Sequence, residues 1–166
     1  MEKKYKTEKD PKTGLLRIIA LKDFYKVREG DRGGLIEKEE NLSQEGDCWV
    51  YEDARVYGDA KVSENAQVYD NAEVYGNAVV EGSAKVYENA KVHGNAYVHE
   101  EAKVFGDAQV YGWAVISDNA KVFDNAEVCE GAEVWDDAKV FENAKIYGNA
   151  EVVGKASIGG NTKLNY

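Results

Sequence analysis

Valine and alanine recur along most of the chain with a fixed period of six residues. From Val50 the same hexad is repeated nineteen times without insertion, up to Lys163. Its first position is Val or Ile throughout, and its fifth is Ala until Thr162 takes that place. Six residues do not match the 3.6-residue period of an α-helix, but they are a multiple of the two-residue period of a β-strand. The pattern therefore predicts short strands in which Val and Ala share one buried side.

Polar residues in the middle of each hexad predict a turn. The third position is mostly Gly, Glu or Asp, and the fourth is mostly Asn or Asp, as in Gly76-Asn77. These residue types tolerate the left-handed backbone that tight turns require. Three strand-and-turn units would close a triangular coil of eighteen residues, and about six coils would stack with parallel strands roughly 4.8 Å apart. A coiled coil is disfavoured because no heptad is present.

Composition narrows the classes of function. The chain has 166 residues, which predicts one structural unit, and its net charge of -10 argues against binding to nucleic acid polymers. It shows no signal-peptide pattern and no apolar run of membrane-spanning length, so we expect a cytoplasmic protein without a membrane partner. Cys48 and Cys129 fall several coils apart, too far for a disulfide, and unpaired thiols suit a reducing compartment.

The residues before Cys48 lack the full hexad pattern. Residues 1–13 are highly charged, and we expect them to be a loosely packed lead-in. Residues 15–21 predict a strand, residues 22–27 a helical turn or tight bend, and residues 28–34 a glycine-rich loop. The hexad spacing first shows at Leu35, which predicts an irregular first coil. We interpret this segment as a cap over the first coil, with a binding loop at residues 28–34 as the alternative.

The hexads resemble the repeats of left-handed parallel β-helix proteins, whose usual form is aliphatic–Gly–x–x–small–x. The resemblance implies an all-β, single-stranded left-handed parallel β-helix in residues 49–166, with a small N-terminal cap in residues 1–48. The left-handed sense comes from the resemblance alone, since the general crossover rule favours the right hand. The runs LLRIIALKDF, GDRGGLI and NLSQEGDCWVYEDARV are similar to the lead-in of the YdcK-like family of bacterial and phage hexapeptide-repeat proteins. That family is labelled transferase mainly because of its fold.

Taking every eighteenth residue predicts three outer faces. The first carries an aromatic column, Tyr51, Tyr69, Tyr87, Phe105, Phe123 and Phe141, beside Gln67, Lys85, Lys103, Lys121 and Lys139. The second carries Tyr57, Tyr75, His93, Tyr111, Cys129 and Tyr147. The third includes Val79, Tyr97 and Val115, its least charged patch. Aromatic columns cover any β-surface well, so they are consistent with a plain solvated face.

Two of these surfaces are candidates for binding. Contiguous outward apolar side chains are rare on monomers, so we expect the patch at Val79, Tyr97 and Val115 to be a subunit contact. The β-helix resemblance implies a trimer with its prisms side by side. The lysines beside aromatic rings could hold a planar anionic ligand such as a nucleotide or coenzyme A, and Lys85, Lys103, Lys121, Lys139, Phe105 and Phe123 are the candidates there.

A second candidate site follows from broken repeat rules. Trp113 and Glu101 occupy a turn position that is usually Asn or Asp, and such departures tend to mark function. His93 and His99 are the two histidines of the chain. The candidate site comprises His93, Tyr97, His99, Glu101, Tyr111 and Trp113. The alternative is that these are ordinary outward residues of a drifting repeat.

The resemblance also implies a chemistry. Acyltransferases of this fold use a histidine as general base beside a coenzyme A groove between subunits, and His93 or His99 would take that role. The hexads contain no inserted loop and are followed by no helix, which counts against this reading and makes end-to-end association a secondary hypothesis. A zinc site like that of γ-type carbonic anhydrases needs three histidines, so no metal is expected.

The sequence thus favours a homo-oligomeric binding or scaffold module. Its ligand would be small and anionic, and no cofactor is expected. The first alternative is an acyltransferase that uses a coenzyme A derivative. The second is a purely structural oligomer.

Overall fold

The computed structural model describes residues 2–166, and its regular structure is nearly all β-strand. The last residue of one hexad and the first of the next form each strand of the repeat. A single 3₁₀ turn at Glu39–Asn41 is the helical element of these residues, and none of their helices could cross a membrane. The strands are β1 (Tyr5–Lys9), β2 (Leu16–Ala20), β3 (Arg32–Ile36), β4 (Trp49–Val50), β5 (Arg55–Val56), β6 (Lys61–Val62), β7 (Gln67–Val68), β8 (Glu73–Val74), β9 (Val79–Val80), β10 (Lys85–Val86), β11 (Lys91–Val92), β12 (Tyr97–Val98), β13 (Lys103–Val104), β14 (Gln109–Val110), β15 (Val115–Ile116), β16 (Lys121–Val122), β17 (Glu127–Val128), β18 (Glu133–Val134), β19 (Lys139–Val140), β20 (Lys145–Tyr147), β21 (Glu151–Val152), β22 (Ser157–Ile158) and β23 (Lys163–Asn165).

Strands of the repeat pair in parallel with the strand three places further along the chain. Val86 lies opposite Val104, and Val104 lies opposite Val122, so the register is one coil of eighteen residues. Three sheets result, with ten strands (β1-β2-β3-β5-β8-β11-β14-β17-β20-β23), seven strands (β22-β19-β16-β13-β10-β7-β4) and six strands (β21-β18-β15-β12-β9-β6). The fold is therefore an all-β parallel β-solenoid, which confirms the predicted class.

The solenoid has about seven turns rather than the six counted from the hexads. The added turn comes from the residues before the first hexad. Leu35 of β3 lies opposite Arg55 in a parallel pair, and Leu42 forms a parallel bridge with Val62. The left-handed sense stays a prediction.

The interior contains one branched and one small side chain from each hexad. Every hexad Val or Ile from Val50 to Val152, and every Ala from Ala54 to Ala150, is at most 2% exposed. Each coil thus presents the same side chains to the next, so the cross-section of the core repeats from coil to coil. Such a core is close-packed and holds the strands in one register.

The third residue of each hexad lies in the turn that forms a corner of the coil. The geometry of these corners explains why acidic residues occur there. Glu88 and Asp118 have φ angles of 58° and 54°, in the left-handed region that strains most residues. The carboxylate of Asp70 accepts a hydrogen bond from the N–H of Glu88 at 3.0 Å, and that of Glu88 accepts one from the N–H of Gly106 at 2.7 Å. Each acidic corner thus satisfies a backbone donor of the next coil, which offsets part of the strain.

The N-terminal strands form a meander that joins the solenoid. β1 and β2 are antiparallel, β2 and β3 are antiparallel, and β3 continues into the ten-stranded sheet. The strand predicted at residues 15–21 is confirmed by β2. The lead-in predicted for residues 1–13 is wrong over β1, because Tyr5 is fully buried and its hydroxyl donates to the carbonyl oxygen of Leu42 at 2.7 Å. Tyr5 also meets Trp49 edge to face at 6.1 Å.

The loop predicted at residues 28–34 ends earlier, because β3 begins at Arg32. Gly33 and Gly34 are buried strand residues. A Cβ on Gly33 would lie 2.5 Å from the carbonyl oxygen of Val50, so this glycine permits close approach of two backbones rather than a turn. The bend at residues 22–27 is tight rather than helical and closes with an antiparallel bridge between Phe24 and Val27. The boundary after residue 48 stays a prediction.

Candidate functional site

The seven-stranded sheet carries a continuous stack of aromatic rings on its outside. Neighbouring ring centroids are 4.7, 4.9, 4.9 and 5.3 Å apart, and the ring planes lie within 10° of parallel. We call this set the ring stack: Tyr69, Tyr87, Phe105, Phe123 and Phe141. Burial raises the pKa of Tyr69 to about 12 and also raises that of Tyr87, so both phenols are neutral at physiological pH.

A column of lysines lies beside the ring stack. Lys85 lies opposite Lys103, Lys103 opposite Lys121, and Lys121 opposite Lys139 in the parallel register. We call these four residues the lysine column, and together with the ring stack they form the Lys/aromatic face. Like charges in directly opposed positions repel. Within residues 2–166 none of the four forms a salt bridge, so no carboxylate of these residues neutralises their positive charge.

Acidic corners border the other edge of the ring stack. The carboxylates of Asp70, Glu88, Asp124 and Glu142 each accept a hydrogen bond from a backbone N–H one coil further along. These bonds direct part of the negative charge toward the backbone. The face therefore has ammonium groups along one edge, backbone-bonded carboxylates along the other, and aromatic rings between them.

His93 lies in a separate stack on the ten-stranded sheet. Its ring is parallel to those of Tyr75 at 4.7 Å and Tyr111 at 5.0 Å. Burial, with a smaller effect of Lys91, lowers the pKa of His93 below its ordinary value, so the imidazole is neutral at physiological pH. A neutral imidazole can accept a proton, as a general base must.

His99 lies on the six-stranded sheet, around a corner from His93. Its ring stacks on that of Tyr97 at 4.2 Å. The Tyr97 hydroxyl donates to the carboxylate of Glu81, and this bond raises the pKa of Tyr97 to about 12. The two histidines thus face different directions and belong to two aromatic groups.

Trp113 is the most exposed tryptophan, with 70% of its surface accessible. It interrupts a corner column in which the Asn77 side chain donates to that of Asn95 at 3.1 Å. Trp113 and Tyr111 line a shallow recess of about 290 Å³ with Gly131 and its neighbours. Glu101 is exposed in a turn of its own. The six predicted residues therefore form separate groups on the surface of one chain, and their roles stay predictions.

The structure adds two residues that the sequence analysis did not select. Tyr25 and Lys26, from the bend before Val27, line a recess of about 320 Å³ at the start of the Lys/aromatic face. We call it the cap recess, and it is lined by Tyr25, Lys26, Tyr51, Glu52, Gln67, Tyr69 and Lys85. The adjacent aromatic and basic residues in the bend were the available signal, but nothing local indicated which coil they would meet.

Fold and surface together define a hexapeptide-repeat parallel β-solenoid. The family model described as YdcK beta solenoid repeat matches residues 66–82. A stretch of 49 residues is 47% identical to the uncharacterized acetyltransferase YdcK of Escherichia coli (strain K12). That stretch is 29% of this chain and 15% of the relative, so the chain spans only a small part of the relative's length. These matches confirm the resemblance to YdcK-like proteins.

Proposed function

We propose that the chain is a homo-oligomeric binding module that holds a small, anionic, nucleotide-like ligand on the Lys/aromatic face or in a groove between copies. The observation that carries the proposal is the lysine column, whose four ammonium groups lack carboxylate partners within the described residues and lie beside five stacked rings. Phosphate groups would neutralise the ammonium charges, and a planar base would pack on the rings.

Two features support an oligomer and a location in the cytoplasm. Val79, Tyr97 and Val115 are in register on the six-stranded sheet, and this half-buried patch would be the contact between copies, with a trimer favoured. Cys48 and Cys129 are both free and buried, in keeping with the cytoplasm. Such a module would act by sequestering its ligand or presenting it to a partner.

Native mass spectrometry of the gently purified chain tests the proposal first. The expected result is a trimer that carries an added mass of nucleotide or coenzyme size. Titration calorimetry with nucleotides and coenzyme A then compares Lys103→Glu/Lys121→Glu with the charge-matched control Lys91→Glu/Lys145→Glu on the ten-stranded sheet. We expect affinity to fall about a hundredfold in the first variant and little in the second. Unchanged affinity in the first variant would remove the lysine column from the site.

The alternative is a coenzyme A-dependent acyltransferase. It is favoured by the similarity to the Escherichia coli relative, which is named an uncharacterized acetyltransferase, and by the neutral imidazole of His93. The lysine column could hold the phosphates of coenzyme A, which supplies the activated acyl group. His93 lies on a different sheet from these lysines, so a groove between two copies would be needed to combine them.

In that reading His93 would accept a proton from the nucleophile of the acyl acceptor. Its test is release of free coenzyme A from acetyl-coenzyme A in the presence of amine and alcohol acceptors, by the wild type, His93→Gln and His99→Gln, with the oligomer checked in each. Loss of turnover in one histidine variant with an intact oligomer would support the enzyme. An oligomer with no ligand and no turnover would leave the purely structural role.

A further inference from the structure

The cap and the solenoid together build the cap recess. Tyr25 projects from the bend with 55% of its surface exposed and a φ of 44°, a left-handed backbone that strains a tyrosine. Lys26 follows it, with its Nζ 5.4 Å from the Tyr25 ring centre. The other walls come from the first two coils, including Tyr51, Gln67 and Tyr69. Residues with strained backbone cluster at functional sites, so the exposed Tyr25 side chain is a candidate contact for a ligand.

The regular ring geometry changes at this recess. Every pair from Tyr69 to Phe141 is parallel, whereas Tyr51 meets Tyr69 at 89° with centroids 6.4 Å apart. The Tyr51 ring, the first of the column, is therefore not stacked on its neighbour. Tyr51 and Tyr69 form two aromatic walls at right angles, and Tyr25 adds a third from the cap.

Gln67 supplies a polar group without a complete set of partners. Its side chain is 6% exposed, and its Nε2 donates to the carbonyl oxygens of Asp47 and Asn65, each at 3.0 Å. Both amide hydrogens are thus used, which fixes the orientation of the amide. Among the described residues no donor reaches its Oε1. A buried acceptor without a donor destabilises the folded chain, and a ligand donor would remove that penalty.

The charges around the recess favour an anion. Lys26 and Lys85 form no salt bridge in the part of the chain that the structure describes. The one carboxylate of the lining, Glu52, already accepts a hydrogen bond from the N–H of Asp70 at 2.9 Å. Burial raises the pKa of Tyr51 to about 12, so its hydroxyl is a neutral donor.

We propose that the cap recess binds a nucleoside phosphate, with the base against the tyrosine rings, an N–H of the base donating to Gln67 Oε1, and the phosphate beside Lys26 and Lys85. This inference rests on the proposed function and places its ligand at the cap end of the Lys/aromatic face. Gln67 lines the recess but its Oε1 is shielded from solvent, so contact with the base requires a side chain of the lining to move.

The first test uses titration calorimetry of the full chain with AMP, GMP, CMP, UMP and ribose 5-phosphate. Ribose 5-phosphate carries the same sugar and phosphate without a base. We expect at least one nucleotide to bind tenfold or more tightly than ribose 5-phosphate, as stacking on aromatic side chains implies. If none of the four nucleotides exceeds ribose 5-phosphate, the recess does not recognise a base and the proposal is wrong.

The second test locates the bound nucleotide with three variants and two matched controls. Tyr25→Asn keeps a residue that tolerates left-handed backbone, Lys26→Gln removes a charge, and Gln67→Leu removes the acceptor. Each should weaken nucleotide binding about tenfold. Gln109→Leu and Lys163→Gln change the same residue types on the ten-stranded sheet and should leave binding unchanged. Lys121→Gln probes the middle of the Lys/aromatic face separately, and melting curves verify that all six variants fold.

The outcomes separate this inference from the proposed function. Loss of binding in Lys121→Gln with none in Tyr25→Asn or Lys26→Gln would place the ligand on the middle of the Lys/aromatic face, which overturns the recess and keeps the proposed function. Binding that survives the three recess variants and Lys121→Gln overturns both. A selective loss in the recess variants supports the recess and keeps the proposed function at the end of the Lys/aromatic face that contains Lys85.

Discussion

Lysines occupy the same hexad position on the ten-stranded and the seven-stranded sheets, yet their surroundings are opposite. On the ten-stranded sheet Lys91 lies 3.9 Å from Glu73, and Lys145 lies 2.9 Å from Glu127. The Lys145 bond lowers the pKa of Glu127 and raises that of Lys145. On the seven-stranded sheet Lys103 and Lys121 have lysines on both sides.

This difference in charge pattern shows which features the fold requires. In the hexads both sheets have short strands, the eighteen-residue register and a buried Val or Ile, so the solenoid forms with either arrangement of charge. Alternating charge neutralises one face at no cost to the core. A uniform column of lysines costs repulsion, and the fold gains nothing from it. The Lys/aromatic face is therefore the stronger candidate for a ligand, and the paired face is the natural control.

The largest expected effect tests whether the two faces share one core. Val104 lies beneath the seven-stranded sheet and Val110 beneath the ten-stranded sheet, and both are fully buried. Val104→Asp and Val110→Asp should each lower the free energy of unfolding by about 4 kcal/mol, because each buries a charge without a partner. Denaturant titration followed by circular dichroism measures this loss.

The outward neighbours provide the control for these core variants. Lys103→Ala and Gln109→Ala change residues next to the two valines and should shift the free energy of unfolding by less than about 0.5 kcal/mol. A core aspartate that is tolerated on one side only would show that the two sheets do not share an equivalent interior.

Much of this comparison could be predicted from the sequence. The period of six never slips between Val50 and Lys163, so counting in steps of eighteen places Lys85 beside Lys103 and Tyr87 beside Phe105, as the register confirms. The buried positions follow in the same way, because a two-residue strand period puts Val and Ala on one side.

The cap could not be predicted as well, because its contacts are tertiary. The charged run around Tyr5 resembles a solvated tail, and only contact with Trp49 and Leu42 explains its burial. Gly33 resembles a loop residue until Val50 is placed against it. His93 and His99 are six residues apart, which places them on adjacent faces of the solenoid. The two histidines of one chain therefore do not form a common site.

A smaller effect should have opposite signs on the two faces. Lys121→Glu replaces two like-charge neighbours, Lys103 and Lys139, with opposite charges and should raise the free energy of unfolding by about 0.5–1 kcal/mol. Lys91→Glu removes the pair with Glu73 and places two carboxylates together, so it should lower that free energy by about 0.5 kcal/mol. Denaturation midpoints at low and high salt measure both.

Screening supplies the internal check on this pair of variants. Both shifts should shrink in about 1 M salt, since exposed charges are then screened within a few ångströms. Equal signs on the two faces, or shifts that persist in high salt, would mean that packing rather than charge governs these positions.

The smallest effect concerns pH and the pair formed by Glu127 and Lys145. The hydrogen bond from Lys145 lowers the pKa of Glu127 in the folded chain, so the stabilisation is present above the ordinary carboxyl range and is lost as the pH falls through the folded pKa. Because both side chains are more than a third exposed, we expect only about 0.3 kcal/mol. Glu127→Gln should therefore melt slightly below the wild type at pH 7, and the difference should vanish in acid once the pH lies below the folded pKa of Glu127.

Glu133→Gln is the matched control, since Glu133 has the same hexad position on the six-stranded sheet and no salt bridge within residues 2–166. Glu133 lies opposite Glu151, so this substitution relieves a like-charge contact and should not lower the melting temperature at pH 7. An equal decrease at pH 7 in Glu133→Gln would trace the effect to net charge, because both variants remove one negative charge. A difference confined to Glu127→Gln would show that a specific pair neutralises the ten-stranded face, which is the property that the lysine column lacks.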